Sequence, residues 1–296
     1  MKIIPIAFDS LGTRSMATYV EIDALKIIID PSVRLSPLRY NLPPHPKELK
    51  RKDEHWQAIA EFTQKSDIII VTHYHYDHHN PEAPELYQDK ICIIKHPSEN
   101  INYNQKLRAN IFLEKITPFA KKIEIGDGNT FNFNGITIKC SPAVYHGAND
   151  YSGYVFEILI ADDREKVIFT SDICGIPNEQ QLNFILENNP EIIICDGPSL
   201  YLKGYRYSES AWLNSITHTA RIIKETKVKT FIIDHHLTRD LHYLDFFKEV
   251  KQRLNSADNF RKVAIITAAE YLNKDIELLE AKRKELYRLL GNSQID

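Results

Sequence analysis

Short runs rich in isoleucine and valine recur along the whole chain, and many stop at an aspartate, serine, threonine or histidine. They occupy 3–8, 17–22, 25–30, 67–73, 91–95, 136–146, 152–160, 166–172, 191–196, 229–234 and 262–267. Apolar runs of roughly 4–8 residues with β-branched side chains read as strands buried on both faces. A chain built from so many such strands must cover both faces of its sheets. Helical patterns at 54–64, 178–188, 208–225 and 245–255 offer that cover. A longer stretch of strong helix formers at 268–290, ended by Gly291-Asn292, extends it. The first half is mostly strand after strand, and the second alternates strand with helix. Turn signals at "GDGN" (126–129), "FNG" (133–135) and "ADDRE" (161–165) predict hairpins. The expectation is an α/β fold of two mixed sheets between helices, a four-layer αββα sandwich. No repeat of fixed period and no low-complexity linker divides the chain, so one domain over residues 1–296 is expected.

One strand end stands apart. "VTHYHYDHHN" (71–80) carries four histidines and an aspartate, in a chain of 296 residues with 12 histidines. His73, His75, Asp77 and His78 spell HxHxDH directly behind the run "DIIIV". Neutral imidazole nitrogens and carboxylate oxygens are ligands for zinc and other first-row ions. In a compact loop, residues i and i+2 can converge on one ion while i+4 and i+5 face a second. His79 lies outside that pattern and is expected at the surface or behind a ligand. Tyr74 and Tyr76 alternate with the candidate ligands and are expected to point into the protein body.

Composition narrows the alternatives. Net charge is −3, from 37 basic and 40 acidic residues, so no global basic excess marks a nucleic-acid surface, although a local patch is compatible with it. Cys92, Cys140, Cys174 and Cys195 are scattered without a CxxC pair and sit in or beside apolar runs. Buried, reduced thiols in a cytoplasmic protein are expected. The N-terminal residues lack a signal-peptide h-region, and no apolar run approaches the ~20 residues of a membrane span. GxSxG, the Walker loop and GxGxxG are all missing from the sequence. Residues 32–52 hold four prolines and Arg34, Arg39, Lys47, Lys50, Arg51 and Lys52, and read as a long basic loop, either a lid or a solvated excursion.

With HxHxDH in place, the chain resembles the metallo-β-lactamase superfamily. "LKIIIDP" (25–31) is similar to the strand that precedes the metal motif there, with Ser32 in place of the usual glycine. "AVYHG" (143–147), "FTSDICG" (169–175) and "IIDHHLTRD" (232–240) resemble the three later motifs, in the same order. The wording "SLGTRSMAT", "NLPPHP" and "DHHLTRD" further resembles an archaeal branch, the UPF0282 family. The resemblance implies two divalent ions, zinc first and otherwise manganese, iron or cobalt. One would be held by His73, His75 and His146. The other would be held by Asp77, His78 and the final histidine, with Asp172 bridging. His235 is preferred over His236 for that last place. Asp30 and Asp196, both at strand ends, are candidates to orient metal histidines.

The implied activity is hydrolysis by activated water, with Asp77, Asp172 and Arg239 as catalytic residues. A small-molecule or nucleic-acid phosphodiester is the favoured substrate, because Arg239 and the basic loop could clamp phosphate oxygens. A small ester, lactone or thioester is the alternative. A metal-binding or redox protein that hydrolyses nothing is another. Oligomeric state is not legible in the sequence.

Overall fold

Alternation inside the isoleucine runs sorts them into layers. In β3 (Leu25–Ile29) and β4 (Ile68–Val71), Ile27, Ile29, Ile68 and Ile70 face a second sheet. Ile28, Ile69 and Val71 face helices instead. The structure, a computed structural model, describes residues 1–255 and 263–292. Its first sheet has six strands in sequence order: β1 (Lys2–Phe8), β2 (Met16–Ile22), β3, β4, β5 (Ile91–Ile94) and β6 (Lys122–Ile125). It is antiparallel up to β3 and parallel from there to β6.

The second sheet has seven strands. These are β7 (Thr130–Phe133), β8 (Ile136–Cys140), β11 (Ile158–Ala161), β12 (Lys166–Phe169), β13 (Ile192–Asp196), β14 (Thr230–Asp234) and β15 (Ala264–Ile266). Their spatial order is β15-β14-β13-β12-β11-β8-β7, with the β12 to β15 side parallel. A two-strand ribbon, β9 (Val144–Tyr145) with β10 (Tyr154–Val155), sits apart.

The sheets meet through Ile27, Ile70, Ile93, Ile158, Phe169 and Ile232. Helices α1 (Pro46–Lys65) and α2 (Tyr103–Ile116) cover the outer face of the first sheet through Ile59 and Phe112. Helices α3 (Glu179–Asn188), α4 (Glu209–Glu225) and α5 (Leu244–Asn255) cover that of the second. This is the αββα sandwich expected from the sequence. Each fully buried Ile contributes about 1.5–3 kcal/mol, which makes the layer pattern the dominant stabilising term.

Several expectations needed revision. Helix α1 starts at Pro46, well before residue 54. His45 caps it and Glu48 closes a capping box onto the His45 backbone, a stronger start signal than the charges that follow. The basic loop therefore ends at residue 45. Of its charges, Lys50 pairs with Glu54, and Arg51 with Glu54 and Glu277, along the helix.

The stretch 268–290 is not one helix. It divides into α6 (Ala268–Tyr271) and α7 (Arg283–Asn292). Between them Asn273 and Leu278 take positive φ, and the Glu277 amide bonds to Ser10 O. Glu277 and Glu280 reach Arg51 and Arg14, so tertiary ion pairs override helix propensity there. "GDGN" is a crossover between sheets, since β6 and β7 belong to different ones. Its Asp127 binds Lys95 Nζ (2.6 Å) and the His96 amide. The strands β6 and β7 were not read from the sequence.

Candidate metal centre

The histidine loop leaves β4 beside Asp30, which follows β3, and opposite Asp172 and His235, which follow β12 and β14. Parallel strands deliver their C-terminal ends to one edge, where ligands bind in α/β folds. Asp30, Ser171, Cys174 and His235 all take positive φ, between 49° and 60°. Non-glycine residues adopt this left-handed conformation at a cost, and here it turns the chain sharply at each strand end. Ser32 needs no glycine-like φ. Its hydroxyl donates to Tyr76 O (2.6 Å) and ties the β3 turn to the histidine loop.

The predicted ligands converge in two groups around Asp172. On one side His146 Nε2 lies 3.3 Å and His73 Nε2 3.6 Å from Asp172 Oδ2. His75 Nδ1 is 3.1 Å from His146 Nε2. On the other side His78 Nε2 lies 3.1 Å and His235 Nε2 3.3 Å from Asp172 Oδ1. Asp77 Oδ2 is 4.0 Å from His78 Nε2 and 3.9 Å from His235 Nε2. The two oxygens of Asp172 are thus divided between two donor groups.

The chemistry of these atoms suits metal ions. His73 Nε2, His78 Nε2 and Asp172 Oδ1 are buried without a hydrogen-bond partner among the described residues. Such orphaned polar atoms are costly unless something else binds them. Burial, together with neighbouring imidazoles, holds His73 and His75 well below the usual histidine range, which leaves their lone pairs free. Burial works against ionising Asp172, but His78 and His235 beside it hold its carboxyl well below the usual range.

A second tier orients the ring nitrogens. His78 Nδ1 donates to Asp30 Oδ2 (2.9 Å), and Asp30 also accepts from the Thr72 amide and hydroxyl. His235 Nδ1 donates to Asp9 Oδ2 (2.7 Å). His236 is different. Its Nδ1 and its backbone amide both turn to Asp196 Oδ1 (2.9 and 3.0 Å), and its ring lies near Cys174. Asp9 was missed in the sequence, although β1 ends at it as β3 ends at Asp30.

Other residues fall differently from expectation. His79 is buried, where its Nδ1 donates to His75 O (2.9 Å) and its ring packs between Tyr74, Tyr76 and Phe112. It braces the loop from behind. Tyr74 points into the body and donates to Lys95 O, whereas Tyr76 stays half-exposed at the site. Arg239 is 3% exposed, with Nε on Asp9 Oδ1 (2.8 Å) and Nη2 2.9 Å from His235 Nε2. A side chain so enclosed positions its neighbours and does not reach out as a phosphate clamp. Beside His146 opens a cleft of about 390 Å³, lined in part by Ala148, Tyr151, Cys174, Leu202 and Arg206.

A His/Asp cluster that could bind metal, set on the strand ends of an αββα sandwich, is the arrangement of the metallo-β-lactamase fold. The beta-lactamase superfamily domain model matches residues 26–236. A UPF0282 protein of Korarchaeum cryptofilum is 45% identical over 290 residues, covering 98% of this chain and 95% of that one. The chain belongs to the UPF0282 family within the beta-lactamase superfamily. Solved structures share its fold at low identity. One is an isothiocyanate hydrolase from Delia radicum gut bacteria (TM-score 0.55, 17% identity, 86% of this chain and 94% of that one). Another is the metallo-beta-lactamase fold protein YhfI of Bacillus subtilis (TM-score 0.53, 15% identity, 90% and 95%). No helix among the described residues is long and apolar enough to cross a membrane.

Proposed function

We infer that this protein is a metal-dependent hydrolase and that its substrate carries a phosphodiester. The observation that carries the reading is the division of the two Asp172 oxygens between His73, His75 and His146 on one side and Asp77, His78 and His235 on the other. Such a set would hold two divalent ions, zinc first by its donors, and bound ions would supply Lewis acidity and lower the pKa of a bound water. The residues do the rest. Asp77, partly exposed and 3.6 Å from Arg239 Nη2, lies beside His78 and His235, where its carboxylate can orient the attacking water. Asp9 and Asp30 fix the ring orientation of His235 and His78 from behind. In the reaction, the water oxygen forms a bond to phosphorus, one ester P–O bond breaks, and the water proton passes to the departing alkoxide.

The test is hydrolysis of bis-p-nitrophenyl phosphate, RNA and cyclic nucleotides by protein loaded with Zn²⁺, Mn²⁺ or Co²⁺. Turnover of at least one is expected, and failure on all by a fully metallated protein overturns the reading. A second reading, a small ester, lactone or thioester, draws on the apolar side of the cleft at Ala148, Leu202 and Cys174. A panel of lactones and thioesters discriminates.

A further inference from the structure

Two groups of arginines stand out among the described residues. Arg14, Arg51, Arg164, Arg221, Arg239 and Arg283 are each paired with a carboxylate. Arg34, Arg108 and Arg206 have no carboxylate within 4.0 Å among the described residues, and each lies over a tyrosine ring. Arg34 and Arg108 approach Tyr76 (5.4 and 4.8 Å to the centroid), and Arg206 approaches Tyr205 (5.3 Å). Arg39, with Glu280 only at 4.0 Å, lies over Tyr201 at 4.6 Å.

These residues surround the donor cluster. Tyr76 stands between His75 and Asp77 in the chain. Arg206 lines the cleft with His146. Arg39 Nη2 donates to Arg239 O (3.0 Å), and Arg239 touches His235. The exposed aromatic side chains among the described residues follow the same rim. Tyr40 (44%) is next to Arg39, Tyr205 (78%) is next to Arg206, and Tyr151 (77%) lines the cleft. Tyr103 (74%) begins α2, whose Gln105 bonds to Ser152 O beside that cleft.

We propose that this rim binds a single-stranded oligonucleotide, with its phosphates on Arg34, Arg108 and Arg206 and its bases on the exposed tyrosines. The proposal rests on the phosphodiester reading above and names its substrate class. A guanidinium lying on a ring keeps its in-plane donors open for phosphate oxygens. Exposed tyrosine faces take unpaired bases, which a duplex withholds. A lone phosphate at the donors would leave the flanking arginines idle, whereas a chain with phosphates on either side uses them. His73, His78 and His235 are fully buried beneath the rim, which suits a narrow single strand better than a duplex.

The experiment measures initial fluorescence anisotropy of labelled decauridylate and decathymidylate with the full chain as purified, between 50 and 200 mM salt. Three phosphate contacts predict a log–log salt slope near −2, about −0.7 for each. The Arg34→Ala/Arg108→Ala/Arg206→Ala variant should bind at least tenfold more weakly, with a flatter slope. Arg221→Ala, on the outer face of α4, should bind like the wild type. An unlabelled diuridylate should compete at least tenfold less well than the decamer, and a duplex of equal length should hardly compete. Equal binding by the triple variant, or full competition by the duplex or the dinucleotide, overturns the proposal. A preference between the two decamers tells RNA from DNA. Bis-p-nitrophenyl phosphate hydrolysis, run in parallel, separates the two claims. Hydrolysis without decamer binding sinks the rim and keeps the phosphodiesterase, and decamer binding without hydrolysis does the reverse.

Discussion

Two clusters of buried charge in this molecule are built from similar side chains and finished differently. Glu48 and Arg283 are both 0% exposed. Arg283 donates from Nε and Nη2 to the two Glu48 oxygens (2.7 Å each), and from Nη1 and Nη2 to Leu42 O and Ser36 O. The His45 amide adds a further bond to Glu48. The pair is closed, and it pins the proline-rich segment before α1 to α7. The Asp172 cluster is largely enclosed too, yet it leaves ring nitrogens and a carboxylate oxygen unpartnered. A closed cluster spends its polar groups on architecture. An open one keeps them for something that arrives later.

The largest effect expected from breaking this contrast is at the open cluster. Asp172→Ala removes the group shared by both donor sets. Elemental analysis should show close to two metal ions per wild-type chain and far less in the variant. Hydrolysis should fall by at least about 10³-fold, the equivalent of several kcal/mol of lost charge stabilisation. Wild-type protein with one ion or none would contradict a dinuclear centre. At the closed cluster, Arg283→Met strands the Glu48 carboxylate and should lower unfolding free energy by about 3–5 kcal/mol in urea titrations. Arg283→Met with Glu48→Leu should recover much of that loss, because it is the orphaned charge that is costly. No recovery would mean that the backbone bonds to Leu42 and Ser36 carry the effect.

The two clusters were not equally legible. HxHxDH was legible as a metal motif behind an apolar run, whereas His146, Asp172 and His235 were joined to it through the resemblance to the metallo-β-lactamase superfamily. Asp30 and Asp196 were readable as strand-end carboxylates; Asp30 orients the predicted ligand His78, whereas Asp196 holds His236, outside the predicted ligand set. Asp9 obeys the same rule but escaped, since its partner His235 is 226 positions away and no local pattern links them. The closed cluster left no signal at all. Glu48 and Arg283 look like ordinary helix-surface charges, and only the tertiary fold buries them together. That blindness also made 268–290 read as one helix and 32–52 as one loop, because the residues that interrupt or anchor those segments act across the whole chain.

Asp9→Asn probes the boundary between the clusters, since Asp9 closes hydrogen bonds to His235 and Arg239 beneath an open site. A weaker acceptor there should cut metal affinity by about 10–100-fold while leaving the αββα fold intact by circular dichroism. Competition with a chromogenic chelator reads the affinity directly. An unchanged affinity would place Asp9 with Glu48, as architecture alone.

The smallest effect belongs to a group that fits neither pattern. Glu157 is 0% exposed, and neither carboxylate oxygen has a partner among the described residues. It lies away from the predicted ligands, on the segment entering β11. Burial alone pushes its carboxyl well above the usual carboxylate range. The sign follows from linkage. An acid with a raised folded pKa binds its proton more tightly in the native state, so it lowers stability as pH rises past the unfolded value near 4.5 and continues to do so up to the folded one. Glu157→Gln removes that proton dependence and keeps the shape. The variant should therefore gain on the wild type as pH rises from 5 to 8, seen as a widening difference in Tm. A difference that stays flat across that range would mean that the carboxylate is ionised in the fold and has found a partner such as a buried water, which would move Glu157 from the open kind of cluster to the closed one.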